Sequence, residues 1–266
     1  MAWWPIYLLM GLGVGVFAGM LGIGGGTMLV TLMVLAFNSQ GVAPDRVLHL
    51  ALGTAMATII FTSIASFRAH HKHGAVRWDI VRTVAPGLVV GTIAGTVVAD
   101  YLPTKYLAVV FVTFVYYSAV QMFVNVAPKP SRQLPGQGVM NSVATMVGAI
   151  CSLVGAAGGI ITIPLLARCN VPLRQAIGTS AAFGLPVAVT ATIGYIWSGL
   201  GKDALPPHTL GYVFLPALAA VVIGTFVTVP VGARIAHRMP VPTLKRVLGA
   251  VLCVLATKML FTLFAQ

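Results

Sequence analysis

Two apolar stretches, residues 5–37 and 138–168, constrain what this chain can fold into more than any other feature. At about 1.5 Å per residue they would make straight helices of roughly 45–50 Å, while a bilayer's hydrocarbon core is about 30 Å thick. Both carry glycines near the middle: Gly22, Gly24, Gly25 and Gly26 in the first, Gly155, Gly158 and Gly159 in the second. The two stretches are expected to break there. Six further apolar runs, 46–67, 78–100, 104–126, 172–199, 207–233 and 241–265, are each about one bilayer crossing long. Only 8% of residues are charged, against roughly 25% in soluble domains. An ordinary soluble domain and a disordered chain are both excluded. The fold class is an all-α polytopic membrane protein. The longest connection, around 127–138, is too short to hold a water-soluble domain.

The long stretches also resemble each other. Gly22 to Thr31 aligns with Gly155 to Pro164 at an offset of 133, and Gly15 with Gly148. Gly53-Thr54 matches Gly178-Thr179 at an offset of 125, and Gly95 to Pro103 matches Gly232 to Pro240 at 137. Three matches in one order indicate a duplicated four-segment unit: an N-terminal repeat 1–126, a linker 127–137 and a C-terminal repeat 138–266.

Charge placement then tests how the repeats cross the membrane. The net charge of +12 comes from sixteen Lys and Arg against four Asp. In a soluble protein that excess suggests nucleic acid. Here the bases sit between apolar runs, as positive loops beside anionic headgroups do, so no nucleic-acid partner is expected. If all eight runs cross, the bases divide eight and eight and define no inside. If the first and fifth runs are re-entrant, twelve fall on one side and only Arg46, Lys105, Lys202 and Lys258 on the other. Twelve against four is the cytoplasmic bias expected of an inner-membrane protein, with both termini outside and the repeats inverted. Making the second and sixth runs re-entrant gives eleven against five, so both pairs stay open.

Inverted repeats with broken helices are the signature of a secondary transporter with a midplane site. A helix restarting at Gly25-Gly26-Thr27-Met28 or Gly158-Gly159-Ile160 offers unpaired N–H groups and a positive dipole end to an anion. The competing reading is close helix packing through small residues, for instance Gly15 with Gly19. Gly53-Thr54 and Gly178-Thr179-Ser180 add hydroxyls suited to an oxyanion, or hydroxyls bonding back onto their own helix. His49 donates to the anion or carries a proton, or else is an interfacial residue beside Asp45 and Arg46. Cys151 is a small buried packer or a contact to a sulfur-containing ligand. Asp45, Asp79, Asp100 and Asp203 all fall at run ends, which disfavours a cationic substrate and favours a small anion. No Cys/His spacing suggests a metal, and no Gly-Lys-Ser/Thr suggests a nucleotide, so no cofactor is expected.

The pattern Gly15-x3-Gly19-x2-Gly22-x-Gly24-Gly25-Gly26, its echo from Gly148 to Pro164, and the paired Gly-Thr motifs resemble the sulfite exporter TauE/SafE family (TSUP) over nearly the whole chain. The resemblance implies an inner-membrane transporter of sulfite, thiosulfate, sulfonates or sulfoacetate-type anions, as exporter or importer. Two departures, Thr31 in place of the proline kept as Pro164 and Ala157 in the second glycine run, make the half-sites unequal. The sequence is also compatible with a homo-oligomer. Two other readings compete: an intramembrane serine protease using Ser180 and a histidine, although His208 and His237 lie near run ends and leave Ser180 without an obvious partner, and a non-transporting accessory subunit. On the transporter reading the protein is not an enzyme.

Overall fold

A computed structural model of the chain describes residues 3–21, 25–124, 133–202, 205–236 and 241–264. Ten helices follow in order: α1 (Trp4–Leu21), α2 (Gly26–Ser39), α3 (Val47–Lys72), α4 (Trp78–Tyr101), α5 (Thr104–Val124), α6 (Gln137–Val154), α7 (Gly159–Arg168), α8 (Leu173–Gly199), α9 (Leu215–Ala236) and α10 (Val241–Phe264). Six of them, α3, α4, α5, α6, α8 and α9, are long and apolar enough to cross a membrane. The all-α polytopic class read from the sequence is the class observed.

Both overlong stretches are broken at their glycines, but the arms are unequal. The first divides into 18 and 14 helical residues and the second into 18 and 10. At about 1.5 Å per residue, α7 extends roughly 15 Å, half a bilayer core, whereas α6 is long enough to cross. The run 207–233 also departs from a single helix. Its start forms a small antiparallel hairpin, β1 (Thr209–Leu210) with β2 (Val213–Phe214), before α9 begins. Left-handed backbone at His208 and Gly211, after the Pro206-Pro207 pair, keeps helix from forming there.

Small residues set the helix pairing. Gly87, Gly91 and Gly95 make a stripe on α4 at four-residue spacing, lying on the backbone of Asn141, Thr145 and Ala149 of α6. Val90, Ile93 and Val97 occupy the opposite, exposed face. In the same way Gly11 and Gly15 of α1 lie on Val221 and Thr225 of α9, and Gly232 of α9 lies on Val16. Gly15 is therefore a packing residue, as is its counterpart Gly148 beside Leu88. Residue numbers rise together in both pairs, so α1 runs parallel to α9 and α4 parallel to α6.

Two central pairs run the other way. Along α3 and α8, Gly53 meets Tyr195 and Ser63 meets Gly184. Between α5 and α10, Gly249 meets Ala119, and Tyr116 hydrogen-bonds Thr257 at 2.7 Å. The dominant pairings are thus α1 with α9, α6 with α4, α3 with α8 and α5 with α10. Exchanging the first five helices for the last five leaves this set unchanged.

Candidate functional site

The site is built from the two breaks. α1 ends at Leu21, and α2 restarts from Gly25, whose φ of 56° is left-handed. α6 ends on Gly155 at φ 61°, and α7 restarts from Gly158 at φ 86°. Residues with a Cβ rarely adopt such angles, which is why the breaks fall on glycine. Ala157, the departure in the second run, is not at a positive φ. Its side chain is buried against Gly184 of α8, so alanine fits where it stands.

The breaks touch, although they lie in opposite halves of the chain. A Cβ on Gly26 would overlap the carbonyl oxygen of Gly155 and come within 2.6 Å of Ile59 Cδ1. Gly155 in turn lies against Val30, with Leu52 Cδ2 3.2 Å from where its Cβ would be. Beside this contact is a cavity of about 20 Å³ lined by Gly25, Thr27, Met28 and Ile160, and closed by Phe17, Met122, Leu248 and Leu252. The first N–H groups of α2 and α7 have no acceptor within their own helices. Leu29 N–H donates to Gly25 and Thr162 N–H to Gly158, which marks where each ladder begins. Gly22 and Gly24 lie outside the described residues.

The half-sites differ in their carbonyls. Pro164 has no N–H to give the Ile160 carbonyl four residues back, so that oxygen loses its helical donor beside the cavity. At the matching place Thr31 sends its hydroxyl to the Thr27 carbonyl at 2.9 Å. Thr162 donates its hydroxyl to the Gly158 carbonyl and also meets the hydroxyl of Ser180. Cys151 is fully buried, its sulfur 3.6 Å from where a Cβ on Gly158 would stand. The neighbour of Ser180 is therefore a threonine. His208 is exposed near the hairpin, and His237 lies outside the described residues.

The Gly-Thr pairs sit elsewhere and share one geometry. A Cβ on Gly53 would overlap the Tyr212 carbonyl, and Thr54 Oγ1 accepts the Phe214 N–H at 3.0 Å. A Cβ on Gly178 would overlap the Ala75 carbonyl, and Thr179 Oγ1 accepts the Arg77 N–H at 3.0 Å. Glycine admits the carbonyl and threonine takes the N–H two residues later, just ahead of α9 in one case and α4 in the other. Thr54 donates its single proton to the Leu50 carbonyl at 2.7 Å, leaving none for an anion in this conformation. His49 lies in the first turn of α3 rather than between the breaks. It is buried, with Nε2 2.8 Å from the Ala99 carbonyl and its ring 5.3 Å from that of Tyr212.

Several lining residues carry no signal of their own in the sequence. Met122, Leu248 and Leu252 are apolar residues in apolar helices, and only packing brings α5 and α10 over the breaks. Thr162 could have been found by its place one turn into α7, beside the restarting glycine.

Comparison with known proteins agrees with this architecture. Residues 7–259 match the family model described as Sulfite exporter TauE/SafE. A "Probable membrane transporter protein" of Haemophilus influenzae is 32% identical over 255 residues, covering 95% of this chain and 96% of its own length. "Probable membrane transporter protein YdhB" of Bacillus subtilis is 26% identical, with 87% and 89% covered. "Probable membrane transporter protein MJ0441" of Methanocaldococcus jannaschii is also 26% identical, with 96% and 95% covered. No solved structure matches the chain at a significant level. On the length of that match, and with six helices long and apolar enough to cross a membrane, the chain belongs to the sulfite exporter TauE/SafE family of multi-pass membrane transporters.

Proposed function

We propose that the protein is a secondary transporter of a small anion, sulfite or an organosulfur anion such as a sulfonate or sulfoacetate, in a bacterial inner membrane. Residues 1–126 and 138–266 act as inverted repeats, with the basic loops cytoplasmic and both termini outside. The reciprocal helix pairing, with α3 antiparallel to α8, supports an axis lying across the helices.

The observation that carries the reading is the contact of the two breaks, Gly26 against Gly155. Beside it, the N-terminal turn of α2 and Ile160 at the start of α7 line one cavity. Backbone N–H groups of Gly26, Thr27 and Met28, and of Gly159 and Ile160, hold the anionic head; Met28, Met122 and Leu252 shape the rest. Hydrogen bonds to a charged group contribute about 1.5–3 kcal/mol each, so a few N–H groups suffice without a cation. The Gly-Thr pairs act as supports that fix the starts of α9 and α4. The cavity of about 20 Å³ has room for little more than a water. This conformation is therefore closed around the site, and substrate enters when the two halves separate on one face.

The test is flux into liposomes containing the purified protein, measured for sulfite, thiosulfate, sulfoacetate and chloride, with and without a pH gradient. Saturable movement of at least one sulfur oxyanion is expected, with chloride excluded. Failure to pass any of the four would leave an accessory subunit as the better description.

A further inference from the structure

A much larger cavity, about 620 Å³, lies at the end of α3 where Arg46 and His49 stand, and it is not part of the site between the breaks. It opens between the connection ahead of α3 and the α4–α5 turn, with Tyr212 of the hairpin in its wall. Its wall carries two cations, Arg46 and Lys105, and two carboxylates, Asp45 and Asp100. Arg46 Nε is 3.2 Å from Asp45, and Lys202 is 3.2 Å from Asp100, so both acids are engaged. Lys105, also in the wall, is exposed and has no ion pair among the described residues. With Asp45 held by Arg46 and Asp100 held by Lys202 from outside the wall, Lys105 is the wall cation left without a carboxylate partner among the described residues.

Tyr212 ties this cavity to the rest of the fold. Its hydroxyl accepts a hydrogen bond from Arg46 Nη1 at 2.9 Å, and its ring lies against buried His49. Its carbonyl rests on Gly53, its N–H donates to the Tyr195 carbonyl at 3.1 Å, and Phe214 beyond it is held by Thr54. Leu52, which touches Gly155 at the break, is only three residues along α3 from His49. That is about 5 Å of helix rise. Tyr212 and His49 thus line the vestibule, and His49 stands within one turn of Leu52, which reaches the break at Gly155.

We infer that this vestibule is a second anion-binding site, for a small singly or doubly charged oxyanion, with Arg46 and Lys105 as its cationic ligands. Asp45 fixes the Nε edge of Arg46, so an incoming oxyanion competes with the Tyr212 hydroxyl for the other edge. Capture of the anion breaks the Arg46–Tyr212 bond and loosens the hairpin that lines the cavity. Binding at this station is thereby linked to access toward the breaks. The site deepens the transporter reading, but its occupancy can be measured without transport.

The test uses the full chain in detergent or nanodiscs, with methanesulfonate as the probe and amide hydrogen exchange across 209–214 as the readout. Methanesulfonate is expected to speed exchange in the hairpin of the wild type and of Gly25→Leu, in which the site between the breaks is damaged. Arg46→Gln is expected to abolish this response. Lys105→Gln, an exposed position that leaves folding untouched, is expected to raise the half-saturating concentration about two- to fivefold. A hairpin response lost in Gly25→Leu, or unchanged in both Arg46→Gln and Lys105→Gln, overturns the second site. Absent flux in the wild type with the hairpin response intact would instead refute the transporter reading and leave the vestibule site standing.

Discussion

Thr54→Val separates support from substrate contact at the Gly-Thr pairs. Valine keeps the shape of threonine but removes a hydroxyl that donates to the Leu50 carbonyl and accepts the Phe214 N–H. Leu50 keeps its backbone donor from Thr54, so that bond costs little. The Phe214 N–H is half-buried at the start of α9 and has no obvious replacement acceptor, and such an orphan costs about 1–3 kcal/mol. For a chain of this size, roughly 2–4 °C per kcal/mol converts that into a fall in melting temperature of about 2–12 °C. Thr54→Ser retains the oxygen and should recover most of the loss. Thr179→Val should behave alike, because Thr179 accepts the Arg77 N–H in the same geometry. The assay pairs thermal unfolding in detergent with sulfite and methanesulfonate affinity. The expected result is lowered stability with affinity for the site between the breaks unchanged. Affinity falling tenfold or more with stability intact would place the hydroxyl on the substrate and refute the support role.

Other perturbations follow from the same contacts. Gly26→Ala puts a methyl group onto the Gly155 carbonyl and should force the breaks apart, lowering flux sharply while detergent-purified protein stays folded. Ser180→Ala removes one partner of Thr162 but leaves the Thr162 bond to Gly158, so flux should change by less than about tenfold; a hydrolytic activity lost in this variant would instead support the protease reading. Gly91→Val drives a branched side chain into the Thr145 backbone and should separate α4 from α6, seen as loss of monodisperse protein. Gly13→Ala, with open space at its Cβ, should be neutral or stabilising by about 0.5–1 kcal/mol in the same assay.

The sequence disclosed the breaks because glycine is the residue that adopts the left-handed angles found at Gly25, Gly155 and Gly158 with least strain. Its offsets were physically meaningful as well. The offset of 125 relates Gly53-Thr54 to Gly178-Thr179, and that of 137 relates Ala75 and Arg77 to Tyr212 and Phe214, the groups those pairs hold. What the pairs hold was not legible, because a carbonyl and an N–H in a connecting segment exist at every residue and leave no mark in the text. The stripe at Gly87, Gly91 and Gly95 could be read as small-residue packing, but not which helix it meets. The vestibule escaped for another reason. Arg46 belongs to the connection ahead of α3 and Asp100 and Lys105 flank the α4–α5 turn, and only the fold brings these two connections around one space with Tyr212.

The most direct measurement of an anion site at the meeting of the two breaks is methanesulfonate and sulfite flux in liposomes containing wild type, Gly25→Leu or Gly158→Leu. Both glycines hold left-handed backbone that leucine resists, and both start helices whose first turns, at Thr27, Met28 and Ile160, line the cavity. Flux is expected to fall at least about tenfold in each variant, the equivalent of one lost charge-assisted hydrogen bond. Folded, reconstituted protein that transports at the wild-type rate in both single variants would contradict a substrate site at the breaks.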